Sequence, residues 1–389
     1  MPAAAAAVVV AAVAVASPGV TTPSHGESRA AASITVTAGT DEDLTVQAES
    51  RVAALSVREK AASVVMGHIP TTDASALRAY MRDSDAGGFI LMGANIPGGE
   101  AALRKVTSAL TIDPALPPLI AVDEEGGDVT RLPWDRFPAA WQVRDEGPES
   151  AGEAYAARAA LVQRAGIGVN FGVIADVTDD SASFIYDRVL GTTPRAAADR
   201  VSAAVDGESG QVLTTLKHFP GHGAVEGNSH VMIPSTRLSK AEWKKTDAVP
   251  FAAGIDAGAP LLMFGHLAYT SVDKAPASLS ATWHEIARDE LGFTGVAITD
   301  DLGMLQASGV AAYADPVANA VQALVAGNDM VLAVMFTTRD SVSALTDGIV
   351  AAVKDGTLSE ARLDEAAVRV MRLRLQTAAS GRGLLPVGG

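Results

Sequence analysis

Ionisable residues follow apolar runs at five successive places in this chain: Asp123, Asp176, the pair Lys217-His218, His266, and the pair Asp300-Asp301. One charged residue after a buried run is ordinary surface chemistry, but five in succession call for a common cause. If the runs are parallel strands, their C-terminal ends converge on one cleft. Carboxylates, imidazoles and an ammonium gathered there supply nucleophiles, general acids and general bases. The densest stretch is 212–234, VLTTLKHFPGHGAVEGNSHVMIP, which holds three of the seven histidines. Val212 to Leu216 reads as a buried strand ending at Lys217-His218. Pro220, Gly221 and Gly223 forbid helix and ladder alike, so His222, Glu226, Asn228 and His230 ride on a loop at the strand's C-terminal edge. His218, His222 and His230 offer three imidazoles to a metal. Pro220 and the two glycines, however, prevent the helical spacing that puts two histidines on one face. Neither a metal nor another cofactor is expected.

Eight short apolar runs must position these groups: 63–66, 88–92, 119–122, 169–175, 212–216, 261–264, 296–299 and 330–334. Helix signals lie between them. Ser56 with Glu59 and Ser239 with Glu242 form capping boxes, and Thr193-Pro194 and Asp315-Pro316 place an N-cap before a first-turn proline. Val317, Val321 and Leu324 share a helical face before Gly327, and Ala367, Val368, Met371 and Leu375 form another near the C-terminus. Strand alternates with helix at intervals of roughly 25 to 50 residues, which suits eight βα units. An open doubly wound sheet is the competing architecture, but no G-x-G-x-x-G follows the first run. The expected fold is α/β, a TIM-type (β/α)8 barrel forming a single catalytic domain over 51–380, with a tail at 381–389.

Composition narrows the function further. The chain has 389 residues, 48% hydrophobic and 19% charged, ample for one large core. A net charge of −15 without a basic run excludes nucleic acid as an expected partner. With no cysteine, disulfides and thiolate catalysis are ruled out, and an oxidising compartment is allowed. Residues 3–16, AAAAAVVVAAVAVA, match the length of a signal-peptide apolar core and are too short for a stable membrane span. Ala14-Val15-Ala16 before Ser17 resembles an A-x-A cleavage site, although no basic residues precede the run. The expectation is therefore a signal peptide at 1–16, a flexible linker at 17–50 rich in Ser, Thr, Ala, Gly and acids, and a secreted monomer.

Longer motifs carry a resemblance. Lys217-His218-Phe219-Pro220-Gly221-His222-Gly223, followed by Ser229-His230, resembles the signature of the single-domain β-N-acetylglucosaminidases of glycoside hydrolase family 3. GVAITDDLGM, from Gly295 to Met304, resembles the segment that carries the family's nucleophile. VDEEGGDVTRL around Asp123 is similar to its D-x-E-G-G-x-x-x-R segment, while Asp187-Arg188, and Met263 with His266, match shorter patterns.

The resemblance implies a (β/α)8 barrel and a retaining exo-β-N-acetylglucosaminidase that removes terminal β-linked GlcNAc from oligosaccharides of peptidoglycan or chitin. In that reading Asp300 is the nucleophile that forms a covalent glycosyl-enzyme, and His230 serves as acid and then base. Asp123, Arg131, Arg188, Lys217, His218 and His266 hold the sugar, with a satisfied core histidine the other reading of His266. Gly126-Gly127 gives a sharp turn between Asp123 and Arg131, and Glu124, Glu125 and Asp128 are expected to be merely solvated. Asp301, on the opposite strand face from Asp300, is expected to support structure. One departure stands out: where the family has an aspartate two residues before the catalytic histidine, this chain has Asn228. An amide can orient the ring but cannot stabilise imidazolium by charge. Slower hydrolysis or a shift toward phosphorolysis is the expected consequence, with Glu226 a substitute partner or acid. A β-glucosidase-like enzyme and a catalytically weak sugar-binding protein are the other readings. The intact Asp300 argues against the latter.

Overall fold

Apolar runs without a polar face must be covered on both sides, and a closed parallel sheet inside a ring of helices does this. A computed structural model describes residues 41–381. Its eight barrel strands are β1 Val65–Gly67, β2 Gly88–Leu91, β3 Leu119–Val122, β4 Val169–Ile174, β5 Leu213–Phe219, β6 Leu261–Phe264, β7 Val296–Asp301 and β8 Met330–Leu332. They pair in parallel in chain order, and β8 closes on β1. This is the TIM-type barrel that the alternation predicts.

Side chains inside the barrel form an apolar plug that includes Met66, Ile90, Ala121, Phe171, Leu213, Met263, Ile298 and Leu332. Their outward neighbours Val65, Phe89, Leu91, Val122 and Val331 pack beneath the helices. A period of two carries this pattern upward. Two residues beyond Ala121 is Asp123, and two beyond Ile298 is Asp300, so both carboxylates stand above the plug on the axial side.

Local signals hold at the helix starts. The boxes Ser56/Glu59 and Ser239/Glu242 are reciprocal, and Thr193 and Asp315 cap helices that begin at Pro194 and Pro316. Strand limits shift where side chains redirect the backbone. Ser63 closes the helix Val57–Ser63 rather than opening β1. β5 continues through Lys217 and His218 to Phe219, because buried carboxylates receive those two polar side chains. β8 stops at Leu332, since the N–H groups of Val334 and Met335 go to the Asp301 carboxylate instead of a ladder.

The expected linker also ends early. Asp41–Ala53 is a helix whose residues Leu44, Ala48 and Val52, at i, i+4 and i+8, pack into a cluster with Leu363, Ala367 and Met371 of the C-terminal helix Glu360–Ser380. So thin a stripe is stabilised by tertiary packing more than by its own propensity. The expected signal peptide at 1–16, the rest of the expected linker through 40, and 382–389 lie outside the described residues. No helix among the described residues is long and apolar enough to cross a membrane.

The two barrel ends carry charge for different purposes. Where the strands begin, the fully buried Asp329 accepts from Arg288 at 2.6 Å, Arg362 at 2.7 Å and Arg369 at 3.0 Å, tying the outer helices to the strand bottom. Charge at the strands' C-terminal end is arranged around an open cleft.

Candidate active site

Lys217 Nζ sits between Asp123 Oδ1 and Glu125 Oε1, 2.8 Å from each. Arg188, in a short turn after β4, donates from Nε and Nη2 to the two Glu125 oxygens, both at 2.8 Å. Burial by itself would raise the Glu125 pKa, but the charges of Arg188 and Lys217 outweigh it and bring the pKa down to about 2. Burial likewise opposes the charge on Lys217, and Asp123 and Glu125 more than offset it, so Lys217 is held protonated. Arg131 Nη2 stands 3.4 Å from Asp123 Oδ2. The half-buried Asp123 thus has two cations beside it, an array of donors and acceptors that suits vicinal hydroxyls.

Asp176, just beyond β4 and fully buried, organises the neighbouring wall. His218 Nδ1 donates to its Oδ2 at 2.8 Å, and the backbone N–H groups of His218 and His222 donate to it at 3.2 and 2.6 Å. The other ring nitrogen of His218 faces Arg188 Nη2 at 3.5 Å. His222 Nε2 meets Ser229 Oγ at 3.0 Å. Burial pushes the His222 pKa down to about 4, so this ring is a neutral strut at neutral pH. The strut runs from the end of β5 to the residue preceding His230. Gly221 between them has φ +134°, and a Cβ there would lie 2.7 Å from Asp247, so only glycine fits this turn.

His230 itself is exposed at the cleft. Its Nδ1 donates to Asn228 Oδ1 at 2.7 Å, which leaves Nε2 for a ligand. Its pKa is lowered, first by the protein that displaces water around it and then by His218 and Arg188, while Asp300 and Asp123 pull the other way. Asp300 is the penultimate residue of β7, with Oδ1 accepting the Asp301 N–H at 2.8 Å. Burial would raise its pKa, yet the charge of His218, the Asp301 N–H and Lys217 hold it below the ordinary value. An ionised carboxylate and a histidine with one committed nitrogen therefore stand near a wall of charged donors and acceptors.

The profile of the glycosyl hydrolase family 3 N terminal domain matches residues 56–373. The chain belongs to glycosyl hydrolase family 3. It is 35% identical over 269 residues to a protein named beta-hexosaminidase from Nitrosospira multiformis, covering 65% of this chain and 74% of that protein. A beta-hexosaminidase from Pseudomonas aeruginosa is 37% identical over 263 residues, covering 65% and 76%. Among solved structures, a family 3 beta-N-acetylglucosaminidase from Paenibacillus superposes with a TM-score of 0.77 at 30% identity, covering 86% of this chain and 65% of that one. A beta-N-acetylhexosaminidase from Beutenbergia cavernae gives 0.72 at 26%, covering 83% and 99%. The chain is thus a glycoside hydrolase of the family 3 beta-hexosaminidase group.

Within this family 3 barrel, Asp123, Arg131, Arg188, Lys217 and His218 lie on one connected wall. Asp300 lies one residue before the end of β7, and His230 with Asn228 lies on the loop after β5. His266 does not join the wall. It is fully buried, its Nε2 donates to the Asp301 carbonyl at 2.9 Å, and its Nδ1 meets Ser278 Oγ at 2.7 Å, so neither nitrogen is left for a sugar. It acts as a brace behind β7.

Glu124 and Glu125 are not solvated either. Glu124 is fully buried and accepts the N–H groups of Arg131 and Leu132, each at 2.9 Å, which folds the hairpin that delivers Arg131. Glu125 is the counter-ion shared by Lys217 and Arg188. A signal for it was available: Glu125 is two residues beyond Asp123 and falls on the same strand face. Asp128 is exposed, in line with expectation. Asp301 faces away from the cleft and accepts the N–H groups of Gly303, Val334 and Met335 at 3.0, 2.8 and 2.9 Å.

Proposed function

We propose that this protein is a retaining exo-β-N-acetylglucosaminidase that releases terminal β-linked GlcNAc from peptidoglycan or chitin fragments. The observation that carries the reading is the pairing of ionised Asp300 with His230, whose Nδ1 is committed to Asn228. Asp300 attacks the anomeric carbon and the bond to the leaving oxygen breaks. Protonated His230 gives its Nε2 proton to that oxygen as it departs. Neutral His230 then takes a proton from water, the water oxygen bonds to the anomeric carbon, and the glycosyl ester breaks to restore the Asp300 carboxylate. Asp123, Arg131, Arg188, Lys217 and His218 orient the terminal sugar by its hydroxyls. The names carried by the relatives support N-acetylglucosamine over glucose. An aryl N-acetylglucosaminide should be cleaved and an aryl glucoside left nearly intact. Mass spectrometry of products formed with and without phosphate should show free sugar rather than sugar phosphate. The opposite aryl preference would sink the reading.

The apolar run at 3–16 supports export, with a mature chain that starts near Ser17. Amino-terminal sequencing of secreted material should find Ser17 first.

A further inference from the structure

The pairing of β3 with β4 ends at Val122 and Asn170, and beyond it the side chain of Asn170 takes over from the ladder. Its Oδ1 accepts the N–H of Glu124 at 3.1 Å, and its Nδ2 donates to the Glu124 carbonyl at 3.0 Å. One fully buried amide thus clasps the backbone of Glu124 on both sides. The residues on either side of Glu124 are Asp123 and Glu125, the two carboxylates between which Lys217 sits. The Glu124 side chain in turn accepts the N–H groups of Arg131 and Leu132. Asp123, Glu125 and Arg131 are therefore all anchored through the one residue that Asn170 holds.

Behind the amide stands Glu208, the fully buried last residue of the helix Pro194–Glu208. Its Oε1 accepts the other Nδ2 hydrogen of Asn170 at 2.6 Å. A flipped amide would set oxygen against oxygen at Glu208 and at the Glu124 carbonyl, and N–H against N–H at the Glu124 nitrogen. Glu208 therefore fixes the amide in the orientation that grips the backbone. Burial lifts the Glu208 pKa to about 7, against the hydrogen bonds of Asn170 and Thr214 and the charge of Arg158, so its ionised form costs the fold free energy rather than adding to it. Space is kept for the clasp as well: a Cβ on Gly172 would lie 2.3 Å from Asn170 Nδ2 and 2.7 Å from the Glu124 carbonyl oxygen.

We infer that Asn170, oriented by Glu208, is a positioning residue for substrate binding: its clasp on Glu124 sets Asp123 and Glu125 about Lys217 and brings Arg131 beside them. The inference rests on the proposed role of that wall in holding the terminal sugar. Neither Asn170 nor Glu208 is exposed to a ligand, so both act only through the wall.

The test measures kcat and KM of Asn170→Ala on an aryl N-acetylglucosaminide, with the folded fraction of the same sample read by circular dichroism. Loss of folded enzyme lowers the apparent kcat and leaves KM alone, whereas a displaced wall raises KM. KM should rise by about 10- to 10²-fold, and inhibition by free N-acetylglucosamine should weaken in parallel. Asp329→Ala, destabilised at the other barrel end, should keep the wild-type KM. Asn170→Ala combined with Glu125→Gln should raise KM by less than the product of the two single effects, because both act on the same wall. A wild-type KM in folded Asn170→Ala, or single effects that multiply fully in the double variant, overturns the inference while leaving the activity standing. Should Asn170→Ala not fold, Glu208→Leu decides: removing the acceptor that orients the amide should give a smaller rise in KM, and an unchanged KM overturns the inference. Failure of wild type to cleave the aryl substrate would instead remove the proposed activity, and this inference with it.

Discussion

Asn228 Oδ1 accepts two hydrogen bonds from His230, one from its backbone N–H at 3.0 Å and one from ring Nδ1 at 2.7 Å. The amide therefore sets both the ring orientation and the tautomer. It leaves Nε2 without a hydrogen-bond partner among the described residues, but it adds no negative charge to favour imidazolium. The strut from His222 through Ser229 positions the same loop from below.

The pH dependence follows from that relationship. With His230 as the proposed acid, glycosylation needs its proton, so kcat/KM for a disaccharide should fall as pH rises through its pKa, which the surroundings already lower. Replacing the neutral partner by a carboxylate in Asn228→Asp favours the charged ring, raises that pKa and moves the basic limb to higher pH. A pH–rate profile in which the basic limb stays put would place the acid elsewhere.

Leaving-group dependence tests the same histidine. A sugar alkoxide needs a proton as its bond breaks, whereas dinitrophenolate leaves without one. His230→Ala should slow disaccharide cleavage by about 10²–10⁴-fold, with a much smaller effect on glycosylation by a dinitrophenyl glycoside. Azide should restore deglycosylation. Single-turnover and steady-state rates on the two substrates measure both effects.

Asp300 and Asp301 are adjacent and differ in role. Asp300→Ala should abolish turnover, and a fluorinated sugar should label Asp300 in wild type, as peptide mass spectrometry can read. Asp301→Ala leaves one buried and two part-buried N–H groups without their acceptor and should cost about 1–3 kcal/mol of stability, read by urea unfolding. Label on any other residue would reassign the nucleophile.

Glu125 links binding to stability. Its folded pKa of about 2 lies below the ordinary 4.5. Ionised Glu125 therefore stabilises the fold fully above pH 4.5, and this contribution is lost as pH falls toward about 2. Glu125→Gln removes the shared counter-ion of Lys217 and Arg188 and should cost about 3 kcal/mol at neutral pH, with KM raised as well. The stability gap from wild type should narrow on going to about pH 3. A constant gap across that range would mean that the ion pairs are not its source.

At the opposite barrel end, Asp329→Ala strands Arg288, Arg362 and Arg369. It should lower unfolding stability by about 3–5 kcal/mol, with KM for an aryl glycoside unchanged in the folded fraction. Thermal denaturation and steady-state kinetics separate the two.

Much of the architecture is written in short-range patterns. Eight apolar runs with capping boxes between them specify strand–helix alternation, because propensity, capping and burial on two faces act within a few residues of sequence. Period-two alternation alone puts Asp123 and Asp300 on the axial side of β3 and β7, and Pro220 with its glycines makes the bearer of His230 a loop. Other features depend on distances that sequence spacing does not set. Glu125 reads as a surface acid until Arg188, 63 residues further on, closes on it. Lys217 meets Asp123 across 94 residues. Whether His266 faces a ligand or braces a strand turns on Ser278 and the Asp301 carbonyl occupying its two nitrogens. The helix at 41–53 exists because the C-terminal helix offers it a face. The free energy of a charge or a thin apolar stripe is set by what surrounds it in space, so tertiary packing decided which polar residues became the wall of the cleft and which became its supports.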